Sequence, residues 1–280
     1  GREYAARYLS AEDRRQAAWI VDKVREVQIE AVKNSSWMSA EAKTEAQAKL
    51  AALKIEIGTP LRDLDYSVQP MGRGSFGGNI LIASTWRHRE EMKRIGKGNA
   101  DRRWDVLPQQ PSLAYDLAQN RLIVTAAILQ GPVFNAKADA ADKFGSFGGL
   151  VGHELTRAID AKGALVDAKG ELRSWWTPAD KTAWTLLGSR VAAQYSAYDF
   201  PGVKGAKVNG TLTQEENLAD IAGLELAWAA YTAQEPKAKP AQQQGFFRAW
   251  AALWPQQLSP NEAARRLTAD IRAPGRWRTN

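Results

Sequence analysis

The chain has 280 residues, 44% of them hydrophobic, with eleven tryptophans, no cysteine and a formal net charge of +7. This length and apolar content can bury the core of one large domain or of two lobes, and the lack of cysteine excludes disulfides, thiol nucleophiles and cysteine-based metal sites. Lys and Arg are scattered among 31 acids without a block of five like charges, which argues for a solvated surface and against a nucleic-acid partner. The start, Gly1-Arg2-Glu3-Tyr4, has no signal-peptide pattern, although a precursor could carry one upstream. Ser10 is predicted to cap a long helix in which Ala17, Ile20, Val21, Val24, Val27, Ala31 and Val32 recur at helical spacing. Ser39 caps a second helix to about Leu53, and Ile55-Glu56-Ile57 ahead of Gly58-Thr59-Pro60 predicts a short strand end. Gly72 to Gly78 lacks a P-loop lysine and is expected to be a loop or a helix start, with a helix following through Trp86, Met92 and Ile95.

Arg121 to Leu129 begins as a strand, paired in a hairpin with Ala114-Tyr115. The longest apolar run, Leu122 to Phe134, is interrupted by Thr125, Gln130, Gly131 and Pro132 and is too short to span a bilayer. A helix is expected from about Asp142 to Asp160, with Phe144, Phe147, Val151, Leu155 and Ala158 as its buried stripe and His153 and Arg157 on one face beside it. Thr177-Pro178 opens the next helix, through Tyr195, and another runs from near Thr213 to about Tyr231. Gln234 to Gln244 is expected to be a solvated loop, and Ser259-Pro260-Asn261-Glu262 a capping box for a final helix over 260–270. Helix dominates, with a few strands.

One segment carries chemistry. His153-Glu154-Leu155-Thr156-Arg157 is one residue short of H-E-x-x-H, the pattern that sets two zinc-binding imidazoles one turn apart around a catalytic glutamate. Arg157 stands at the second ligand position, and a guanidinium offers five donors and no lone pair to a metal. Downstream, Glu216 and Asp220 lie four apart on a predicted helix and face the same way. A glutamate there supplies a third zinc ligand, and an aspartate one turn later can orient a ligand histidine by hydrogen bonding. Alone, such a pair is an ordinary polar helix face; beside a His-Glu helix it is far more specific.

Ordered segments along nearly the whole chain resemble the carboxy-terminal catalytic region of the neprilysin and endothelin-converting-enzyme family of zinc metallopeptidases, bacterial oligopeptidases included. Asn34 to Ser39 is similar to the family's "NLDWMS", and Asn120 to Val124 with Ala127 to Pro132 is similar to "RNEIVFPAGILQPP". Gly148 to Glu154 is similar to "GGIGAVIGHE", Ser174 to Thr177 to "NWWT", Leu212 to Asp220 to "LTLGENIAD", and Ala273 to Arg278 to the end of "DVHAPGKFRV". The resemblance implies a mainly α fold with a small β-sheet, the gluzincin (thermolysin-like) catalytic domain, spanning 1–280 with a mostly helical part over 1–110 and the active-site helix, sheet and last helices over 111–280. It implies zinc on His153 and Glu216, Glu154 as catalytic base, Asp220 behind the ligand histidine and Arg278 near the transition state. It also implies a periplasmic or extracellular setting.

The chain departs from that pattern where the family does its chemistry. Arg157 replaces the second zinc histidine, and Arg272 replaces a histidine that donates to the tetrahedral intermediate. The substrate-clamping "VNAYY" strand reads Pro111-Ser112-Leu113-Ala114-Tyr115, so Ser112 and Leu113 are degenerate substrate contacts. A guanidinium about 4 Å from a dication is repelled by roughly 8 kcal/mol at an effective dielectric near 20. Zinc is therefore expected to be absent or weakly held, with Arg157 forking onto Glu216 and another of the acids Glu154 and Asp220. The leading expectation is a catalytically impaired pseudopeptidase that binds a peptide or a partner protein. An active zinc endopeptidase and a structural, non-catalytic subunit are the alternatives. Partners for the last would be the family's amino-terminal cap region, missing here, or an active paralogue.

Overall fold

Side-chain caps set the helix starts. In the computed structural model, which describes residues 1–61, 66–97 and 103–279, a short helix α1 (Arg2–Tyr8) precedes α2 (Ala11–Lys33). The Asp13 amide donates to Ser10 Oγ at 3.0 Å and the Ser10 amide to Asp13 Oδ2 at 3.1 Å, satisfying two donors that a helix start leaves open. Helix α3 (Ala40–Ala51) is capped by Ser39, whose own amide and hydroxyl donate to Asp180 at 2.6 and 2.9 Å. Asp180 also closes the capping box of Thr177, so one carboxylate fastens the starts of two distant helices. Burial alone would raise the Asp180 carboxyl, but these donors hold it below the usual carboxylate range.

Strand β1 (Lys54–Gly58) leads to α4 (Phe76–Met92), then β2 (Leu113–Asp116) and β3 (Arg121–Thr125). The sheet order is β1-β3-β2, with β3 parallel to β1 and antiparallel to β2. β3 is buried throughout, and its Arg121 is held by Glu56 and Asp116 at 3.1 and 3.0 Å. The chain divides into two compact units, residues 1–59 with 106–280, and residues 60–105. Within the second, Ser75 caps α4 and the Asn79 side chain closes the glycine segment onto Gly72, the loop and helix start expected there.

In the larger unit, α5 (Ala140–Lys143) runs into a π-helical turn, Phe144–Gly148, before α6 (Gly149–Thr156). The helix expected over Asp142 to Asp160 is thus interrupted and shorter. It stops because Asp160 Oδ1 takes the Lys162 and Gly163 amides at 2.9 and 2.8 Å and turns the chain. After α7 (Pro178–Ser196), α8 (Gly210–Gln234) is longer than expected, and α9 (Pro240–Ala251) already begins within the segment expected to be loop. Pro240 suits the first helical turn and Gln242 Oε1 accepts the Lys239 amide at 2.9 Å, so only residues 235–239 connect the two helices. Helix α10 (Pro260–Ala269) forms half of its expected capping box: Ser259 takes the Glu262 amide, while the Glu262 carboxylate turns to Arg265 and Arg266. A last turn, α11 (Gly275–Arg278), was not evident from the sequence pattern.

The core joins β3 to α2, α6 and α8 through Leu122, Ile20, Val151, Leu155, Leu226 and Tyr231. Burying each such side chain is worth about 1.5–3 kcal/mol. Helices α6 and α8 cross backbone to backbone: a Cβ on Gly223 would lie 2.3 Å from the His153 nitrogen, and one on Gly152 would lie 2.4 Å from the Gly223 oxygen. That crossing seats the His-Glu helix directly on the helix carrying Glu216 and Asp220.

Candidate functional site

The α6–α8 crossing brings four of the predicted residues together. His153, buried, approaches Asp220 Oδ1 through Nδ1 at 2.7 Å, and its Nε2 lies 3.6 Å from Glu216 Oε2 and 4.0 Å from Glu154 Oε1. Arg278, delivered by α11, grips the other side of Asp220 with Nε on Oδ2 at 2.6 Å and a terminal nitrogen on Oδ1 at 2.7 Å. Its guanidinium stacks 3.5 Å over the Trp254 ring. Burial works to raise the Asp220 carboxyl, but hydrogen bonds from His153 and Arg278 overcome it and hold the group below the usual range.

Glu154 has a different environment. Burial pushes its carboxyl above the ordinary range, against the opposing pull of His153, of the Tyr115 amide and of Arg157. The Tyr115 amide donates to Glu154 Oε2 at 3.0 Å, which ties the edge strand β2 to the end of α6. A raised carboxyl at the mouth of a cleft suits a proton acceptor.

Arg157 lies at the C-terminal cap of α6, and its guanidinium is mostly buried. One terminal nitrogen contacts Glu216 Oε1 and the other Asp160 Oδ2 at 3.2 Å. The fork onto Glu216 is as expected, but the second acid is Asp160 and not Glu154 or Asp220. Asp160 is the nearer acid because it follows Arg157 by three residues in the turn that ends the helix. Arg272 sits at the segment between α10 and α11 and is half exposed, with its Nε 3.2 Å from Glu216 Oε2. That contact is an ion pair without hydrogen-bond alignment.

Two adjoining hollows make up the cleft. One, of about 290 Å³, is bounded by Tyr115, Glu154, Arg157, Asp160, Glu216 and Arg272. The other, of about 470 Å³, is bounded by Ser112, Leu113, Ile128, Leu150, Trp254 and Arg278, and both share His153, Glu154 and Arg272. Ser112 and Leu113 therefore flank the same cleft as the charged residues. Asp160, Trp254 and the Tyr115 amide were not singled out by sequence; only Asp160 had a local signal, its spacing from Arg157.

The residues present do not fit a catalytic zinc ion, which needs three protein ligands and one open position. His153 Nε2 and Glu216 Oε2, 3.6 Å apart, lie close to the spacing of two ligands of one ion, since donors at about 2 Å in a tetrahedron lie roughly 3.3 Å apart. The third corner is a guanidinium bound to Glu216. Among the described residues no three His, Cys, Asp or Glu side chains group around a common metal position.

A sequence model described as peptidase family M13 matches residues 114–280, and a second model of the same description matches residues 1–60. Human neprilysin is 26% identical over 295 residues, covering 99% of this chain and 39% of the relative. The structure of the Mycobacterium tuberculosis zinc metalloprotease ZMP1 in its open state superposes with a TM-score of 0.87 at 28% identity, covering 99% of this chain and 45% of that one. PEPO from Lactobacillus rhamnosis gives a TM-score of 0.84 at 30% identity, covering 99% and 43%. The chain thus spans about two-fifths of the length of the relatives it matches. These likenesses agree with the mainly helical gluzincin-type fold and its small sheet. No helix among the described residues is long and apolar enough to cross a membrane.

Proposed function

The chain belongs to peptidase family M13, and from that premise we propose that it is a catalytically impaired member whose cleft binds a peptide or a partner protein without cutting it. The observation that carries this reading is Arg157 on Glu216: the residue at the second zinc-ligand position is bound to the third ligand. A hydrolase of this kind needs a metal to lower the pKa of its attacking water. Glu154, without that metal, has no activated water to deprotonate. Arg272 replaces a donor histidine by a fixed cation already paired with Glu216.

What survives is binding architecture. In an antiparallel edge strand, alternate residues turn their backbone groups away from the sheet. Tyr115 spends its outward amide on Glu154, and the same alternation turns the backbone of Leu113 toward the cleft. An extended peptide could add there as a further strand, with Trp254, Leu150 and Ile128 receiving a side chain. The protein would work in a periplasmic or extracellular setting, as the resemblance implies.

The test is elemental analysis of the purified chain together with cleavage of a quenched peptide. The expected result is substoichiometric zinc and no chelator-sensitive cleavage. One zinc per chain with chelator-sensitive turnover overturns the reading. It would establish the second one, an active zinc peptidase, which the preserved His153–Asp220 pair and the placement of Glu154 favour.

A further inference from the structure

The carboxylate of Glu216 is covered twice, once on each oxygen, by cations from different parts of the fold. Arg157 reaches Oε1 from the end of α6, and Arg272 reaches Oε2 from the segment before α11. The two contacts are not equivalent. Oε2 is the oxygen that faces His153 Nε2, 3.6 Å away, so it is the one an ion shared with His153 would use. Arg272, not Arg157, sits on it. Arg157 is held in addition by Asp160, through its other terminal nitrogen at 3.2 Å. The Arg272 backbone is fixed by its amide donating to Asp270 Oδ1 at 3.0 Å.

We propose that Arg157 and Arg272 act as one two-arginine clamp on Glu216, closing this position to divalent cations by both occupation and charge: Arg157 removes a ligand, and Arg272 weakens the site that a restored ligand at 157 would make. The inference rests on reading the cleft as the M13 site. Its consequence is coupling. Restoring a histidine at 157 supplies a third ligand, yet Arg272 still occupies the oxygen that a metal must share with His153. Restoring 272 alone frees that oxygen and leaves a guanidinium at the third corner. Only both changes together leave three ligands and an unclaimed carboxylate.

Zinc titration by calorimetry on the full chain tests this with four proteins: wild type, Arg157→His, Arg272→His and the double variant. Wild type and Arg272→His are expected to show no saturable site. The double variant is expected to saturate at one zinc per chain, with Arg157→His weaker than it by about 10- to 100-fold, the range by which groups around a metal's ligands tune affinity. Equal affinity of Arg157→His and the double variant makes Arg272 a bystander and overturns the clamp, as does stoichiometric zinc on wild type.

If the double variant does not fold, a thermal-melt cycle decides. Arg272→Gln, at a half-exposed side chain, should lower the melting temperature of wild type but not that of Glu216→Gln. An equal drop in both backgrounds overturns the proposal. Wild type that binds zinc yet cuts nothing sinks the clamp alone; wild type that cleaves peptide without metal sinks the impaired-peptidase reading alone.

Discussion

Substituting Gly223 by alanine tests whether backbone-to-backbone contact between α6 and α8 builds the cleft. The added Cβ would lie 2.3 Å from the His153 nitrogen, 2.8 Å from its Cα and 2.9 Å from the Gly149 oxygen. Ordinary contact is about 3.5 Å, so the helices must separate by roughly 1 Å or the methyl must be accommodated by bending them. All three obstructing atoms are backbone, and no rotamer change relieves them. Overpacking of this kind costs about 1–3 kcal/mol, and the upper end applies here. The helix itself gains about 1 kcal/mol on going from glycine to alanine. The net expectation is a loss of about 2 kcal/mol, or roughly 4–8 °C in melting temperature for a chain of this size.

Urea denaturation reads the first quantity. The second readout is local. The chain has two histidines, His88 and His153, so the imidazole nitrogens of His153 can be followed by NMR without crowding. Moving α6 away from α8 should disturb the 2.7 Å contact between His153 and Asp220 and shift those signals, leaving His88 unchanged. A variant within about 0.5 kcal/mol of wild type, with unmoved His153 resonances, would refute the reasoning.

Three further outcomes are expected. Arg157→Met, which keeps the stem and removes the charge, should cost about 2–3 kcal/mol in urea unfolding. This is less than the 3–5 kcal/mol of a fully uncompensated buried charge because Arg272 still reaches Glu216; no loss would mean the buried pair contributes nothing. Lys49, fully buried with its ammonium on the Gly163 and Val166 carbonyls, is pushed down by burial to about 8. The unfolded chain then holds a proton that the folded chain releases, so stability should rise by about 2 kcal/mol from pH 8 to 10, and Lys49→Met should abolish that rise. Glu154, pushed up chiefly by burial, holds its proton more tightly in the folded chain. Its contribution is therefore present below the ordinary glutamate range and lost as pH rises through the raised value. Glu154→Gln should accordingly gain on wild type in urea unfolding as pH rises above the ordinary glutamate range, and a loss relative to wild type over that rise would contradict the assigned direction.

The elements most legible in the sequence were those specified locally. Ser10, Ser39 and Thr177 announce helix starts through side chains three residues from their partners, and the stripe from Phe144 to Leu155 is buried as its spacing requires. The convergence of His153, Glu154, Glu216 and Asp220 was also legible, because each pair sits on one helix and the two helices share a motif logic. What escaped were features set by distant segments. The Arg272–Glu216 ion pair depends on how α10 and α11 return to the cleft. The Tyr115–Glu154 bond depends on where the sheet edge meets α6. The extent of the Gln234 to Gln244 loop was misjudged because its polar composition suits a solvated helix start as well as a loop.

The π-helical turn at Phe144–Gly148 gives the site an angular phase. Its extra residue is accommodated where Gly145 passes beneath the Phe246 carbonyl, so close that a Cβ would lie 2.1 Å from that oxygen. Each α-helical residue advances the side-chain direction by about 100°, and the wider i→i+5 turn advances it by less, so the same letters on an unbroken α-helix would face His153 in a different direction. The direction in which this segment points is therefore written one turn upstream, in a stretch of glycine, serine and phenylalanine that carries no chemistry of its own.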